Sequence, residues 1–193
     1  MISHINGRLV EKSPTYVVIE CSGVGYKLNI SLNTYSKLED SESCKLFAEF
    51  IVREDAQILY GFKEISERRL FQLLISVSGV GPATALLVLS SADAEEIQQA
   101  ILSGNAGWFK GVKGIGPKSA QRIIIDLKDK VSKENISSDN SLGLNNTIRE
   151  ESLSALVNLG FNKNLAEKMI QKILIAQPDA AVEDVIKQAL KGL

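Results

Sequence analysis

The 193-residue chain holds one histidine, His4, and two cysteines, Cys21 and Cys44. A Ser-His pairing would have to draw that histidine out of an expected strand, which leaves acyl-transfer chemistry of that kind without a base. Two cysteines in apolar, strand-like surroundings with no second pair provide neither a zinc site nor a disulfide framework, and they read as small buried hydrophobes. No His-Glu-x-x-His pattern offers a metal. No apolar run approaches the roughly 20 residues of a membrane-spanning helix. The chain also opens without a signal-peptide pattern, so a soluble, cytoplasmic protein with no cofactor is expected. Formal net charge is only −1, which excludes a general polycation.

What the chain has is a repeat. Val77-Ser78-Gly79-Val80-Gly81-Pro82-Ala83-Thr84-Ala85 is matched by Val112-Lys113-Gly114-Ile115-Gly116-Pro117-Lys118-Ser119-Ala120. Each copy runs from an apolar residue through Gly-x-Gly-Pro into an apolar run at helical spacing, Leu86, Leu87 and Leu89 in the first, Ile123, Ile124 and Leu127 in the second. Paired glycines permit positive φ and remove the Cβ that would keep another group away from the backbone. Proline after them suits the first helical position, where a missing N–H costs nothing. The N–H groups of the turn and of the first helical turn then lack partners within the helix, and the helix dipole favours an anion there.

Two other phosphate loops fail on context. A dinucleotide fingerprint needs a preceding strand and a third glycine, yet Arg68–Ile75 reads as a helix and Thr84 stands at the third position. A Walker A loop fits poorly around the second copy, because the spacing from Gly116 to Lys118 is wrong and no buried strand precedes it. The pattern that remains resembles the helix-hairpin-helix motif, matched through Ala85 and Ala120. That resemblance implies that hairpin amides hold a DNA backbone phosphate without reading bases. The plainer reading is a helical hairpin whose glycines serve close packing. Duplication favours DNA, as does the charge: residues 104–130 carry Lys110, Lys113, Lys118, Arg122, Lys128 and Lys130 against Asp126 and Asp129.

Before the repeat, residues 1–62 predict five short strands: 2–10, 15–20, 26–30, 45–52 and 56–62, separated by turn signals at Pro14 and Gly23-Val24-Gly25. Five strands at this spacing suit a small closed barrel. An OB-fold is the commonest such barrel beside nucleic acid, and periodicity alone leaves other small barrels open. Between the last two strands stands Arg53-Glu54-Asp55, a solvated turn by default. Beside a DNA-binding face its two carboxylates would repel phosphates. Between the hairpins, Asp93–Leu102 predicts a capped amphipathic helix closed by Gly104, and Trp108 with Phe109 reads as core rather than as a stacking platform. Residues 132–146 turn polar and read as a flexible linker. Residues 147–193 predict three helices, with Thr147 and Glu150 in capping-box register, Asn162 as a second cap, and Leu153, Leu156, Val157, Leu165, Met169, Ile170, Ile173, Val182, Val185 and Ile186 among the apolar positions.

Taken together, the barrel, Arg-Glu-Asp-Ala-Gln-x-Leu-Tyr-Gly-Phe, the paired Gly-x-Gly-Pro hairpins, the polar linker and the helical tail resemble the RuvA family over the whole chain. The resemblance implies a multidomain β-then-α protein: an N-terminal OB-fold barrel at 1–63, a central tandem helix-hairpin-helix domain at 64–131, a linker at 132–146 and a three-helix, UBA-like domain at 147–193. It implies a homotetramer that binds four-way DNA junctions independently of sequence and acts in recombination and repair. Its partners would be a RuvB-type hexameric ATPase, bound by the C-terminal domain, and a RuvC-type resolvase. By resemblance the DNA-binding residues are Gly79, Val80, Gly81, Lys113, Gly114, Ile115, Gly116, Lys118 and Arg122. Glu54 and Asp55 would form an acidic pin at the crossover. The turn Leu159-Gly160-Phe161, similar to that of ubiquitin-associated domains, would belong to the partner-binding surface. Where many relatives have lysine after the first Gly-x-Gly-Pro, this chain has Ala83 and Thr84, so the second hairpin is expected to dominate affinity. A structure-selective nuclease or a helix-hairpin-helix glycosylase is the alternative. The first would rest on Glu54 and Asp55 and the second on Asp126, which sits in an ordinary helical run.

Overall fold

The computed structural model describes residues 2–39, 42–139, 144–177 and 180–192, with the side chains of 133–147 and of Glu150 outside that description. The chain divides into two compact units, Met1–Glu134 and Asn135–Leu193. In the first, five strands form a closed barrel: β1 (His4–Lys12), β2 (Tyr16–Cys21), β3 (Val24–Ile30), β4 (Ser43–Val52) and β5 (Gln57–Phe62). The order around the barrel is β1-β2-β3-β5-β4, and β3 and β5 alone are parallel. This is the five-stranded Greek-key closure of an OB-fold. Alternation drives it: Val17 and Ile19 of β2, Leu28 and Ile30 of β3, and Leu46 and Ala48 of β4 all point inward and are buried. Gly61 lets β5 approach its neighbours, since a Cβ there would stand 3.0 Å from Leu46 Cδ1 and 3.1 Å from Leu28 Cβ.

A short helix, α1 (Leu32–Ser36), lies between β3 and β4 and was not anticipated from the sequence. Its five residues are too few to show a period, and Ser31, whose Oγ accepts from Thr34 N, gives the only local signal. The expected strands form within two residues of their predicted starts. Cys44 is buried, as expected of a small hydrophobe, and burial pushes its thiol up, away from the reactive thiolate. Cys21 is half-buried and points Sγ at Asn6 O, 3.2 Å away.

Five helices complete the first unit: α2 (Ile65–Ile75), α3 (Pro82–Ser91), α4 (Ala94–Leu102), α5 (Ala106–Lys110) and α6 (Pro117–Asp139). Asp93 caps α4 by accepting from Glu96 N at 2.8 Å, and Gly104 follows that helix with φ +72°, both as predicted. Phe109 is fully buried, and Trp108 packs on it edge-to-face while donating its Nε1–H to Glu96 at 3.0 Å. One departure concerns α3. Its buried positions are Ala85, Val88 and Leu89, whereas Leu87 of the expected stripe is exposed. The reason lies in what flanks it: Leu86 and Leu87 border a groove of about 470 Å³ shared with Ile30, Leu32 and Tyr60 of the barrel.

The barrel interior, with Val17, Ile19, Leu28 and Leu46, is one cluster, and a second joins β5 to the helices. Tyr60 and Phe62 of β5 each stack against Phe71 of α2 with ring centroids 5.0 Å apart. Below them Leu70, Leu74, Val77, Val80, Ile97, Ile101, Ile115, Ile123 and Leu127 close the helical layer. Fully burying such a side chain stabilises the fold by about 1.5–3 kcal/mol.

The second unit holds three helices, α7 (Leu144–Asn158), α8 (Lys163–Ala176) and α9 (Val182–Gly192), around Leu156, Ala166, Ile170, Ile173, Val185 and Ala189. Asn162 caps α8 as predicted, accepting from Asn164 N at 3.0 Å. Thr147 and Glu150, the proposed capping box of α7, lie outside the described side chains, and α7 begins earlier, at Leu144. Within the stretch read as linker, the backbone is helical through Asp139 and again from Leu144, and residues 140–143 lie outside the described residues.

Glu67 of α2 is the buried carboxylate of this fold, 4% exposed. It accepts from Ser31 Oγ and, at 2.7 Å, from Thr34 Oγ1. Burial pushes its carboxyl up from the ordinary 4.5. The two hydroxyl bonds and the charge of Lys37 oppose that shift, and Glu64 adds to it. The folded chain thus binds this proton more tightly than the unfolded chain, so the stability it contributes is complete below the unfolded value and is lost as pH rises through the folded one. Glu67→Gln removes that titration. Thermal unfolding of the two proteins in parallel is therefore expected to show the Gln variant gaining on wild type as pH rises above the ordinary carboxylate range, and a difference independent of pH would contradict it.

Candidate nucleic-acid interface

The two hairpins are built alike. In the first, Val77 N–H donates to Leu74 O and Val80 N–H to Val77 O, and in the second Val112 N–H donates to Phe109 O and Ile115 N–H to Val112 O, all within 3.0–3.1 Å. Val77, Val80, Val112 and Ile115 are buried and anchor the turns in the core. Gly79 and Gly114, at φ +90° and +91°, make the left-handed residue each turn requires. The second glycine of each pair serves the other purpose read from the sequence, the absence of a Cβ. Gly81 sits at φ −87° and ψ 168°, an extended N-cap conformation, and Gly116 is likewise absent from the left-handed region. Their value is space: a Cβ at Gly81, Gly114 or Gly116 would meet nothing within 4 Å, because these positions face solvent. The helices then begin at Pro82 and Pro117, with Ala85 N–H and Ala120 N–H closing onto Gly81 O and Gly116 O at 2.9 Å.

The N–H groups of Gly79, Gly81, Gly114 and Gly116 have no acceptor among the described residues. All four glycines are exposed. Val80 and Ile115 contribute otherwise, since their side chains are buried and their N–H groups are consumed by the turns. Any anion contact in each hairpin therefore comes from the flanking glycines and the start of the following helix.

The structure brings the two copies together. Ser78 and Gly79 of the first hairpin share a concavity of about 480 Å³ with Lys118, Ser119, Gln121, Arg122, Ile125 and Asp126 of α6. Arg122 Nη1 donates to Ser78 O at 3.4 Å, and Lys130 Nζ donates to Ser76 Oγ at 3.3 Å. Two cations of the second copy's helix, Lys118 and Arg122, thus stand beside the first turn, an arrangement the one-dimensional repeat did not reveal. Ala83 itself faces the apolar groove beside the barrel. Lys113 is exposed on the second turn.

The acidic turn lies between β4 and β5 and is closed by Arg53 N–H donating to Ala56 O at 2.8 Å. Glu54 and Asp55 stand exposed at its tip, without an ion-pair or hydrogen-bonding partner among the described residues. Among the described residues no cluster of His, Cys, Asp and Glu forms a metal site. His4 is exposed in β1, with Ser3 Oγ 3.4 Å from its Nδ1. In the second unit Gly160 adopts φ +93°, Phe161 packs against the three-helix core and Leu159 is 61% exposed. Val157, Leu165, Ile175 and Leu190 are further exposed apolar residues of that unit. No helix among the described residues is long and apolar enough to cross a membrane.

A closed five-stranded barrel joined through one core to duplicated Gly-x-Gly-Pro hairpins, with a separate three-helix unit, defines a tandem helix-hairpin-helix protein carrying an OB-fold. Residues 71–129 match the SAM-like helix-hairpin-helix tandem. Residues 1–61 match the RuvA N-terminal domain and residues 147–193 the RuvA C-terminal domain. The chain is 53% identical over 193 residues, the full length of both chains, to a protein of Flavobacterium psychrophilum named Holliday junction branch migration complex subunit RuvA. Proteins of the same name from Christiangramia forsetii and Bacteroides fragilis are 51% and 46% identical, again over the whole of both chains. The chain belongs to the RuvA family.

The different conformations of the two glycines separate strain from access. Gly79→Ala or Gly114→Ala forces a Cβ into the left-handed region and is expected to cost about 1–2 kcal/mol. Gly81→Ala is expected to stay within about 0.5 kcal/mol of wild type, as an unstrained surface change does. Urea unfolding of the three variants checks this, and equal losses at Gly79 and Gly81 would contradict the assignment.

Proposed function

We propose that the protein is a non-catalytic DNA-binding subunit that holds four-way junctions open and flat and recruits a ring-shaped ATPase of the RuvB type for branch migration. One observation carries this: two exposed glycine hairpins present free N–H groups, the first beside a concavity that Lys118 and Arg122 of α6 line, while the same compact unit bears a bare pair of carboxylates on a barrel turn. The hairpin amides of Gly79, Gly81, Gly114 and Gly116, with Lys113, Lys118 and Arg122, take backbone phosphates. No base edge is addressed by such a surface, so binding is independent of sequence and falls with salt. Glu54 and Asp55 repel phosphate and bar continuous duplex from their position, which turns general affinity for DNA into preference for a branched shape.

The full-length similarity to proteins named as branch-migration subunits supports a complex of the same composition here, acting in the cytoplasm in recombination and repair. In this reading the protein works as a homotetramer whose fourfold arrangement matches the four arms, with a RuvC-type resolvase as a further partner. The three-helix unit, through the exposed Leu159 beside Gly160 and Phe161, takes the ATPase.

Three measurements test this. In gel shifts, wild type retains a synthetic four-way junction over linear duplex and leaves the DNA uncut in magnesium; cleavage would overturn the non-catalytic reading. Lys118→Ala lowers affinity for all sequences alike and reduces the salt slope by roughly one unit. Glu54→Gln combined with Asp55→Asn raises affinity for plain duplex while leaving the melting temperature unchanged, whereas unchanged selectivity would reduce the turn to a solvated loop.

A further inference from the structure

We infer that α1 is a bracket that fixes the first hairpin relative to the barrel, and that Asn33 and Glu67 are positioning residues for the discrimination between junction and duplex. This rests on the function proposed above. Discrimination by shape needs more than attraction at the hairpins and repulsion at the acidic turn. It needs the two at a set separation and angle, and they sit on different parts of the fold.

The helix α1 touches both helices that carry the first hairpin, α2 near its start and α3 at its end, the ends remote from the turn. Toward α2, which enters the first hairpin, Ser31 Oγ and Thr34 Oγ1 donate to the Glu67 carboxylate. Thr34 Oγ1 also accepts from Lys63 N at 3.1 Å, where the chain leaves β5. Toward α3, which leaves the same hairpin, Asn33 Nδ2 donates to Leu89 O at 2.7 Å and to Ala92 O, while Leu32 N–H donates to Ser90 Oγ at 3.0 Å. These last contacts hold the carboxyl end of α3, where orphan carbonyls need partners.

Apolar packing alone would let the helices slide, because Tyr60, Phe62 and Phe71 meet through surfaces without direction. Arg68 donating to Ser3 O at 3.2 Å and Gln72 Nε2 donating to Glu49 at 2.6 Å already tie α2 to the barrel, and the bracket adds directional bonds at the remote end of α2 and, through Asn33 and Leu32, to α3. Buried hydrogen bonds of this kind are costly to leave half-made, which makes one arrangement preferable to its neighbours. β5, whose first residue follows the acidic turn, is the strand whose exit is tied to Thr34. The turn and the hairpin are therefore referred to the same short helix.

The experiment compares dissociation constants for a four-way junction and a linear duplex at one salt concentration, using full-length protein shown by circular dichroism to be folded at the assay temperature. Asn33→Ala removes the two side-chain bonds to α3, at Leu89 O and Ala92 O, and leaves Leu32 N–H on Ser90 Oγ. Glu67→Leu removes the α2 side at similar volume, and Glu67→Gln keeps an acceptor and a donor for the two hydroxyls. The expected result is a fall in the junction-to-duplex preference of about fivefold or more for Asn33→Ala and Glu67→Leu, the size of a modest coupling between two sites. Duplex affinity itself stays near wild type, and Glu67→Gln restores the preference. A purely structural role would move both affinities by one factor or neither, and either outcome overturns the inference. So does a Glu67→Gln variant as defective as Glu67→Leu. Should Glu67→Leu fail to fold, Asn33→Ala decides alone. A wild type with no preference for junctions would instead sink the proposed function, a result distinct from loss of preference in the variants only.

Discussion

A helix cannot satisfy the N–H groups of its own first turn, and everything that defines this protein's surface follows from leaving two such helix starts uncovered. At α3 and α6 the approach is made by a turn whose one inward N–H is spent on closure and whose apolar residues, Val77 and Val80 or Val112 and Ile115, are sunk in the core. The anchors hold the turn rigid so that the remaining amides need not reorganise to meet an anion. Glycine is needed on the outside for two separate reasons. Gly79 and Gly114 permit the left-handed step, and Gly81 and Gly116 leave open space that, in the function proposed, a large polyanion would use.

Electrostatics then adds sign and shape. A chain of net charge −1 has no overall attraction for DNA, so in the function proposed the attraction is local: Lys118 and Arg122, with Asp126 among them, are set beside Gly79, and the carboxylates of Glu54 and Asp55 stand on the barrel turn. Local fields of opposite sign on one compact unit encode geometry, because only a ligand whose charge is distributed to match gains from one without losing to the other. The shared core of Tyr60, Phe62 and Phe71 keeps the two fields on one body, and the polar contacts around α1 give that body a defined internal angle.

Much of this was legible in the residues. Strand alternation, the turn signals, the caps at Asp93 and Asn162 and the Gly-x-Gly-Pro repeat are local patterns, and the structure reproduces each of them. The barrel's closure, with β3 beside β5, depended on long-range pairing that no local pattern states. Two features escaped for identifiable reasons. The helix α1 is shorter than two turns, and its polar residues Ser31, Asn33 and Thr34 read as a loop until their partners in α2 and α3 are in place. The placement of Lys118 and Arg122 beside the first turn could not be read from a repeat compared copy by copy. In three dimensions the concavity is lined by both copies.

That sharing bears on how such a repeat can change over time. Ser78 and Gly79 face side chains of α6, with Arg122 reaching the Ser78 carbonyl, so the surroundings of the first turn include charges that the second copy and its helix carry. A charge lost from one copy can be tolerated where the other already supplies one, and this frees the first copy to turn an alanine toward the barrel instead. The two copies are thus not interchangeable halves: side chains of the second belong to the surface around the first.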